Sequence, residues 1–284
     1  MKKFDVTALG ELLVDFTENG MSAQGNPLLE ANPGGAPCNV LSMLQNLGKK
    51  TAFIGKVGAD MFGTMLTQAV KDQGINIDNL VTDDTVHTTL AFVHTGVDGD
   101  RDFSFYRNPG ADMMLREEEI QQEIFADTKI FHFGTLSMTD LRMEQVTKHA
   151  VKKAKEQGAV ISFDPNLRPP LWKKLGDAAD KMWYGISQCD ILKISDDEIS
   201  FLTGTADIDQ GIGKIMEQYC PALICATMGK DGSKAYYKGK SVYAEPFLQK
   251  NTIETTGAGD TFMACILNTV LDKGINGLSE NDMY

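Results

Sequence analysis

The residues best suited to chemistry lie in Ile253-Glu254-Thr255-Thr256-Gly257-Ala258-Gly259-Asp260-Thr261-Phe262. Past Gly257, Phe262, Cys265, Ile266, Thr269 and Val270 recur at helical spacing, so Gly257 to Asp260 is expected to form the first turn of a helix. The N–H groups of such a turn lack intrahelical partners and carry the positive end of the helix dipole. Gly257, Ala258 and Gly259 are small enough to let an anion reach that backbone. Asp260 puts a carboxylate beside the anion, where it could take the proton of an attacking hydroxyl. An anion hole and a carboxylate are the minimum apparatus for phosphoryl transfer to an alcohol. The helix start favours the charged carboxylate, so Asp260 is expected to be a weak base that is reliably ionised at neutral pH. An Asp that only supports the start of the helix fits the same spacing, and the segment alone leaves both roles open.

Other segments fit a ligand site. Gly34-Gly35-Ala36-Pro37-Cys38-Asn39-Val40 precedes a helix running to Leu47-Gly48. Paired glycines let backbone N–H groups approach a ligand, and Pro37 suits an early helical position. Asn39 offers a donor and an acceptor, as a sugar diol requires, or serves as a cap.

These residues need strands and helices to hold them. Phe4–Leu9, Thr51–Val57, Lys129–Phe133, Ala159–Phe163, Asp190–Ile194 and Ala222–Thr227 are short apolar runs of the length of buried strands. Amphipathic helices are expected between them. Asp140 to Gln157 is the clearest, with Met143, Val146, Thr147, Ala150, Val151 and Ala154 on one face, Thr139 as cap and Gly158 after its end. Such alternation implies a mostly parallel sheet with helices on both faces. In open parallel sheets ligands bind beyond the carboxyl ends of the strands. Asp15 closes the first strand region. Asp164-Pro165-Asn166-Leu167-Arg168, Ser195 to Glu198 and Thr227 to Gly232 follow three later strands.

One stretch breaks the alternation. Thr88–Thr95 and Arg101–Arg107 read as a hairpin around Gly96-Val97-Asp98-Gly99-Asp100. Phe103 and Phe105 alternate with Asp102, Ser104 and Tyr106, giving one apolar and one wet face. The hairpin suits a lid over a site, or a decorative edge.

Composition bounds the function. The 284 residues carry 27 Lys plus Arg against 39 Asp plus Glu, a net charge of −12, which argues against a main task of binding nucleic acid. No run is apolar enough to cross a bilayer, and Asp5, Glu11 and Asp15 interrupt any signal-peptide core. Cys38, Cys189, Cys220, Cys225 and Cys265 form no C-x-x-C pair and read as free thiols of a reducing cytoplasm. His87, His94, His132 and His149 are scattered and read as structural or surface residues. With no repeat and no linker, one α/β domain with a small β excursion is the most economical organisation.

The Gly34-Gly35 segment and the Thr255-to-Phe262 segment together resemble the two signature regions of the PfkB/ribokinase family of carbohydrate kinases, in that family's order and separation. The resemblance runs over nearly the whole chain. Within the family, Phe105 to Met113, Asp164 to Trp172 and Asp190 to Glu198 are most similar to fructokinases. The resemblance implies a ribokinase-like α/β fold over residues 1–284, with lid elements around 12–33 and 88–108. It implies Asp260 as general base, with Gly257, Ala258 and Gly259 as the anion hole. It places Asp15, Gly34, Gly35, Asn39, Phe105, Arg107 and Arg168 around the sugar. Thr227, Gly229, Gly232, Gly257 and Gly259 would line the ATP site, with Lys193 close by. Glu198 would orient the nucleotide's Mg²⁺ through water, and Glu254 and Thr256 would hold a monovalent cation, commonly K⁺.

Three positions depart from the family pattern. Ser195 stands where many members have Asn, although fructokinases often share the Ser. Glu254 replaces the usual Asp. Family members usually continue past the position of Tyr284 for a few dozen residues that help wall the adenine pocket. The reading is therefore an ATP-dependent, cytoplasmic sugar kinase, a fructokinase first and a 2-keto-3-deoxygluconate kinase second. A non-catalytic sugar-binding or scaffold protein on the same fold is the alternative of another class. Small sugar and ATP are the expected partners, with no nucleic acid, no membrane, and a homodimer through the lid.

Overall fold

A computed structural model of the chain describes residues 2–95, 101–247 and 257–284. Its strands are β1 (Phe4–Leu9), β2 (Leu13–Met21), β3 (Pro27–Gly34), β4 (Thr51–Gly58), β5 (Asn76–Asp83), β6 (Leu90–Thr95) and β7 (Arg101–Tyr106), followed by β8 (Thr128–Phe133), β9 (Val160–Phe163), β10 (Ile191–Ser195), β11 (Leu223–Thr227), β12 (Ser233–Tyr237) and β13 (Lys240–Ala244). Nine of them form a sheet in the order β13-β12-β11-β10-β9-β8-β1-β4-β5, and β3-β2-β6-β7 form a second, smaller one. In the large sheet β5, β4, β1, β8, β9, β10 and β11 run parallel, while β12 pairs antiparallel with both β11 and β13.

The parallel sheet follows from its composition. Every residue of β4 is buried, as a strand covered on both faces requires. Alternate side chains feed two separate cores. Leu9, Ile54, Phe131, Phe133, Phe163 and Leu192 pack on one face with the helices Leu141–Glu156 and Ile208–Gln218. Val6, Ala8, Phe53, Val57 and Ile130 pack on the other with the helices Ala36–Asn46, Met61–Asp72 and Ala258–Lys273. Helices on both faces match the sequence expectation.

Details differ in instructive ways. The helix Leu141–Glu156 buries the expected face, but Asp140 caps it by accepting from the Arg142 N–H. Thr139, the expected cap, is engaged elsewhere, because its hydroxyl accepts from Arg107 and donates to the Leu136 carbonyl. The helix Ala258–Lys273 exists, yet its buried stripe is Met263, Ala264, Leu267 and Val270. Phe262 and Ile266 flank that stripe and Cys265 is exposed, so the stripe read from sequence is rotated by about one residue. Asp15 does not close the first strand region: it lies within β2 of the small sheet, opposite Asn32 of β3.

The hairpin expected at 88–107 is present as antiparallel β6 and β7, with its tip, residues 96–100, outside the described residues. β6 also pairs in parallel with β2, which joins both lid elements into one sheet. Asp60 fixes the entry to this sheet. Its carboxylate accepts from the Phe62 and Gly63 N–H groups at its own helix start and from the Thr88 N–H and hydroxyl. No helix among the described residues is long and apolar enough to cross a membrane. All five cysteines are free.

Candidate active site

Because β1, β8, β9, β10 and β11 are parallel, the polar residues that follow each one share one edge of the sheet. Above that edge a cavity of about 450 Å³ lies between the large and small sheets. Asp15 and the aromatic pair Phe103 and Phe105 face it from the small sheet. Asn166, Arg168 and Lys193 reach it from the loop after β9 and from β10. Gly257, Gly259 and Asp260 reach it from the head of the last long helix. The apolar face of the hairpin thus does cover the cavity, with the two rings stacked 6.0 Å apart.

The paired glycines have specific reasons. A Cβ on Gly34 would sit 2.1 Å from the Asp15 carboxylate, so only Gly lets that carboxylate lie across β3. Gly35 has φ 120°, and a Cβ there would meet the Glu11 carbonyl oxygen at 2.4 Å. The chain then turns into the helix Ala36–Asn46, which carries Asn39. The Asn39 amide donates to the Asp260 carboxylate at 2.8 Å. Two segments 221 residues apart in sequence are joined by this bond.

Asp260 sits in the first turn of its helix behind Gly257, whose φ of 77° is the left-handed conformation glycine allows. Gly257 and Gly259 of that turn border the cavity, as does Lys193. A Cβ on Gly259 would lie 3.2 Å from the Lys193 ammonium, so the backbone of the helix head and this cation are immediate neighbours. Lys193 pairs with Asp164 at 3.1 Å. Burial opposes the charge on Lys193, but the Asp164 and Glu198 carboxylates outweigh it and lift the ammonium above its ordinary value.

Burial and the neighbouring Asp164 push the Asp260 carboxyl up to about 6, against the pull of the Asn39 bond, Lys193 and Arg168. The helix dipole favours the charged form, but it acts on a carboxylate only 8% exposed, and desolvation wins. Burial thus makes the Asp260 carboxylate a stronger base than the helix start alone implies, while a value of about 6 leaves it mostly ionised at neutral pH.

Several expected residues take other places. Arg107 does not line the cavity. It is buried, with Nε donating to Asp112 at 2.8 Å, Nη1 to Thr139 at 2.8 Å and Nη2 to the Leu136 carbonyl at 3.0 Å. With these contacts Arg107 supports the cavity wall through Leu136, which does border the cavity. Glu198 also lies outside the cavity lining. One oxygen accepts from the Leu167 N–H at 2.8 Å and the other from the Ser195 N–H at 2.8 Å, closing a capping box with Ser195. Gly34 borders a second pocket beside the first, shared with Asp15, Asn39 and Gly257. Thr227 ends β11 beside Ser195 in register, Gly229 and Gly232 lie in the turn that follows, and none of the three is on the cavity wall. Ala258 is exposed at the helix head. Glu254 and Thr256 lie outside the described residues.

Sequence reasoning missed Glu11 and gave Asp164 and Asn166 no role of their own. Glu11 follows β1 at the same edge, so the strand-end rule that found Asp164 could have found it. It borders the cavity, and burial pushes its carboxyl up to about 7. His132, read as structural, is indeed buried, with Nδ1 2.9 Å from the Ser162 hydroxyl, and burial lowers it to about 4.

Known proteins share this architecture. The "Probable fructokinase-2" of Arabidopsis thaliana is 40% identical over 275 residues, covering 94% of this chain and 82% of that protein. The crystal structure of a fructokinase with bound ATP from Xylella fastidiosa superposes with a TM-score of 0.85 at 33% identity, over 96% of this chain and 83% of that one. A fructokinase double mutant from Vibrio cholerae O395, in its fructose, ADP and potassium ion bound form, gives a TM-score of 0.84 at 26% identity, over 95% and 85%. The sequence profile of the pfkB family carbohydrate kinases matches residues 3–279. With that profile matched over nearly the whole of its length, this chain belongs to the pfkB family of carbohydrate kinases.

Proposed function

We propose that this chain is an ATP-dependent fructokinase, transferring the γ-phosphoryl group of ATP to the C6 primary hydroxyl of fructose to give fructose 6-phosphate. The observation that carries the reading is the Asn39–Asp260 bond of 2.8 Å at the head of the last long helix. It holds a carboxylate between the sugar-sized cavity and the anion-binding backbone. In the reaction Asp260 accepts the proton of the attacking hydroxyl as the new P–O bond forms and the bond from the γ-phosphorus to the β,γ-bridging oxygen breaks, releasing ADP. The amides of Gly257, Ala258 and Gly259 then meet the charge on the transferred group. Asp15, Asn39 and the glycine turn offer hydrogen-bonding groups to sugar hydroxyls, and Phe103 and Phe105 shield them from water. Relatives named as fructokinases, with ATP or fructose and ADP bound in solved examples, support this substrate pair.

The nucleotide fits the residues present. A helix N-terminus with Lys193 and Arg168 beside it is suited to phosphate oxygens. Thr227, Gly229 and Gly232 extend the same edge toward the rest of ATP. Among the described residues no group of three or more His, Cys, Asp or Glu could cage a metal, so Mg²⁺ would arrive on the phosphates, with Glu198 nearby to orient it. Bound in that way, Mg²⁺ supplies charge neutralisation at the phosphates. The potassium of the Vibrio cholerae structure supports a cation loop at Glu254 to Thr256. Equal turnover in K⁺ and in a bulky organic cation would remove that loop from the reading.

A second reading, 2-keto-3-deoxygluconate kinase, draws on Arg168, a cation on the cavity wall that would suit a carboxylate. It loses its other cation, because Arg107 is committed to Asp112. The deciding experiment is a coupled ADP-release assay over fructose, ribose, adenosine and 2-keto-3-deoxygluconate. Fructose should give the highest kcat/KM, and a higher value for the acid would replace the proposal with the rival. The match over residues 3–279 supports one kinase domain over 1–284. Exposed Met21, Leu28 and Leu29 on the small sheet support a homodimer there, checked by sedimentation, and the free thiols support a cytoplasmic location.

A further inference from the structure

The helix Ala36–Asn46 carries Asn39, the partner of Asp260, yet its own sequence gives it a poor start. Its N-cap is Gly35, which has no side chain, and its first turn holds Ala36, Pro37 and Cys38 with no acidic residue. A helix start leaves its first N–H groups without intrahelical partners, and a side-chain acceptor normally answers them. Here the acceptor comes from 25 residues upstream. The Glu11 carboxylate accepts the Ala36 N–H at 2.9 Å. Glu11 is only 4% exposed. The same residue touches the turn a second time, through the carbonyl oxygen that Gly35 must be a glycine to pass. Glu11 thus grips the helix start by both its side chain and its backbone, directly below the cavity.

The geometry points to Glu11 as a positioning residue for phosphoryl transfer: a cap supplied from the end of β1 that fixes the helix Ala36–Asn46 and thereby aims the Asn39 amide at Asp260. Nothing in the helix start can substitute for it, since Gly35 has no side chain and neither Ala36 nor Pro37 has one that can accept a hydrogen bond. Loosening this end lets Asn39 shift relative to Asp260, and a misplacement of about 1 Å near the reacting atoms costs as much as 10²-fold in rate. The nucleotide side of the cavity rests on other strands. Loss of the cap should therefore fall on use of the acceptor sugar and spare ATP.

The inference rests on the kinase reading above, and the test separates the two. Turnover of the acceptor panel by the unaltered chain tests that reading alone. Glu11→Ala, Glu11→Gln, Asn39→Ala and the double variant Glu11→Ala/Asn39→Ala are then compared on the best acceptor. Glu11→Ala should lower kcat/KM for the sugar about tenfold or more and leave KM for ATP within about twofold. Glu11→Gln should recover most of the loss, because its amide oxygen still accepts from Ala36. The double variant should be no worse than Asn39→Ala, as expected of two residues acting through one contact. Additive losses, or Glu11→Gln as poor as Glu11→Ala, would overturn the positioning role and make Glu11 a direct sugar contact or a charge the site needs. Hydrogen exchange at residues 36–40 supplies a readout independent of activity. Exchange should speed up in Glu11→Ala and not in Glu11→Gln, and unchanged exchange in both would overturn the proposal even in a chain with no measurable turnover.

Discussion

The large and small sheets bury their residues for different ends. In the large sheet side chains on both faces enter closed cores, and only the carboxyl edge is left to chemistry. There Glu11, Asp164, Lys193 and Asp260 are buried polar groups, each with a partner. The small sheet puts Phe103 and Phe105 against the cavity and leaves the outer stretch of β3 exposed. One region keeps charges in fixed, partly desolvated places, and the other lays two aromatic rings along the cavity wall. Stability should therefore reside in the first and sugar affinity should draw on the second.

The largest expected effect tests the first half of that contrast. Phe131 of β8 is fully buried away from the cavity, so Phe131→Ala should lower unfolding free energy by about 3–5 kcal/mol. The kinetics of the molecules that remain folded should stay near normal. Denaturant titration alongside active-site-normalised turnover checks both, and a large loss of kcat in the folded fraction would break the division between core and site.

Next comes Asp260→Asn, which keeps the shape and a hydrogen-bond partner for Asn39 but cannot take a proton. General-base loss typically costs about 10² to 10⁴ in rate, so kcat should fall by at least ~100-fold with KM changed only a few-fold. The stability change has the opposite sign. The carboxyl stands at about 6 in the fold against an ordinary 3.8. The folded state therefore favours the protonated form. That contribution is fully present below pH 3.8 and is lost as pH rises through 6. At pH 8 the native chain holds an unfavourable buried charge that the Asn variant lacks, so the variant should be more stable there by up to about 3 kcal/mol. Equal melting curves at pH 8 would show that Asp260 is better solvated than its burial implies.

A smaller effect follows from the same group. kcat/KM in the native chain should fall about tenfold per pH unit below about 6, where Asp260 takes up its proton, and the residual activity of Asp260→Asn should lack this limb. A limb near 4 instead would restore the dipole-dominated carboxylate that the sequence suggests. The mildest change belongs to the small sheet. Phe103→Ala should raise KM for the sugar several-fold while moving stability by no more than about 1 kcal/mol, since the ring is only half-buried. A stability loss as large as that of Phe131→Ala would mean that the lid is part of the core.

The sequence alone determined the parallel sheet, because β1, β4 and β8 to β11 are short apolar runs whose composition permits burial on both faces. It also determined the helix head at Gly257 to Asp260 and the glycine turn at 34–35, where backbone demands leave few residue types to choose from. Tertiary structure decided the rest, and each case has a physical cause. The stripe on the last long helix slipped because the apolar residues from Phe262 to Val270 nearly encircle it, and only its packing beside the helix Ala36–Asn46 selects Met263, Ala264 and Leu267. Arg107 left the site because Asp112, Thr139 and the Leu136 carbonyl converge on it from separate segments. Asp260 became a stronger base because desolvation depends on everything packed around a carboxylate, whereas the helix dipole depends only on the turn that bears it. The place of Glu11 after β1 was legible, but its capping contact was silent for the same reason: a helix cap supplied from another strand leaves no local spacing to read, and its acceptor meets the Ala36 N–H only when the chain has folded.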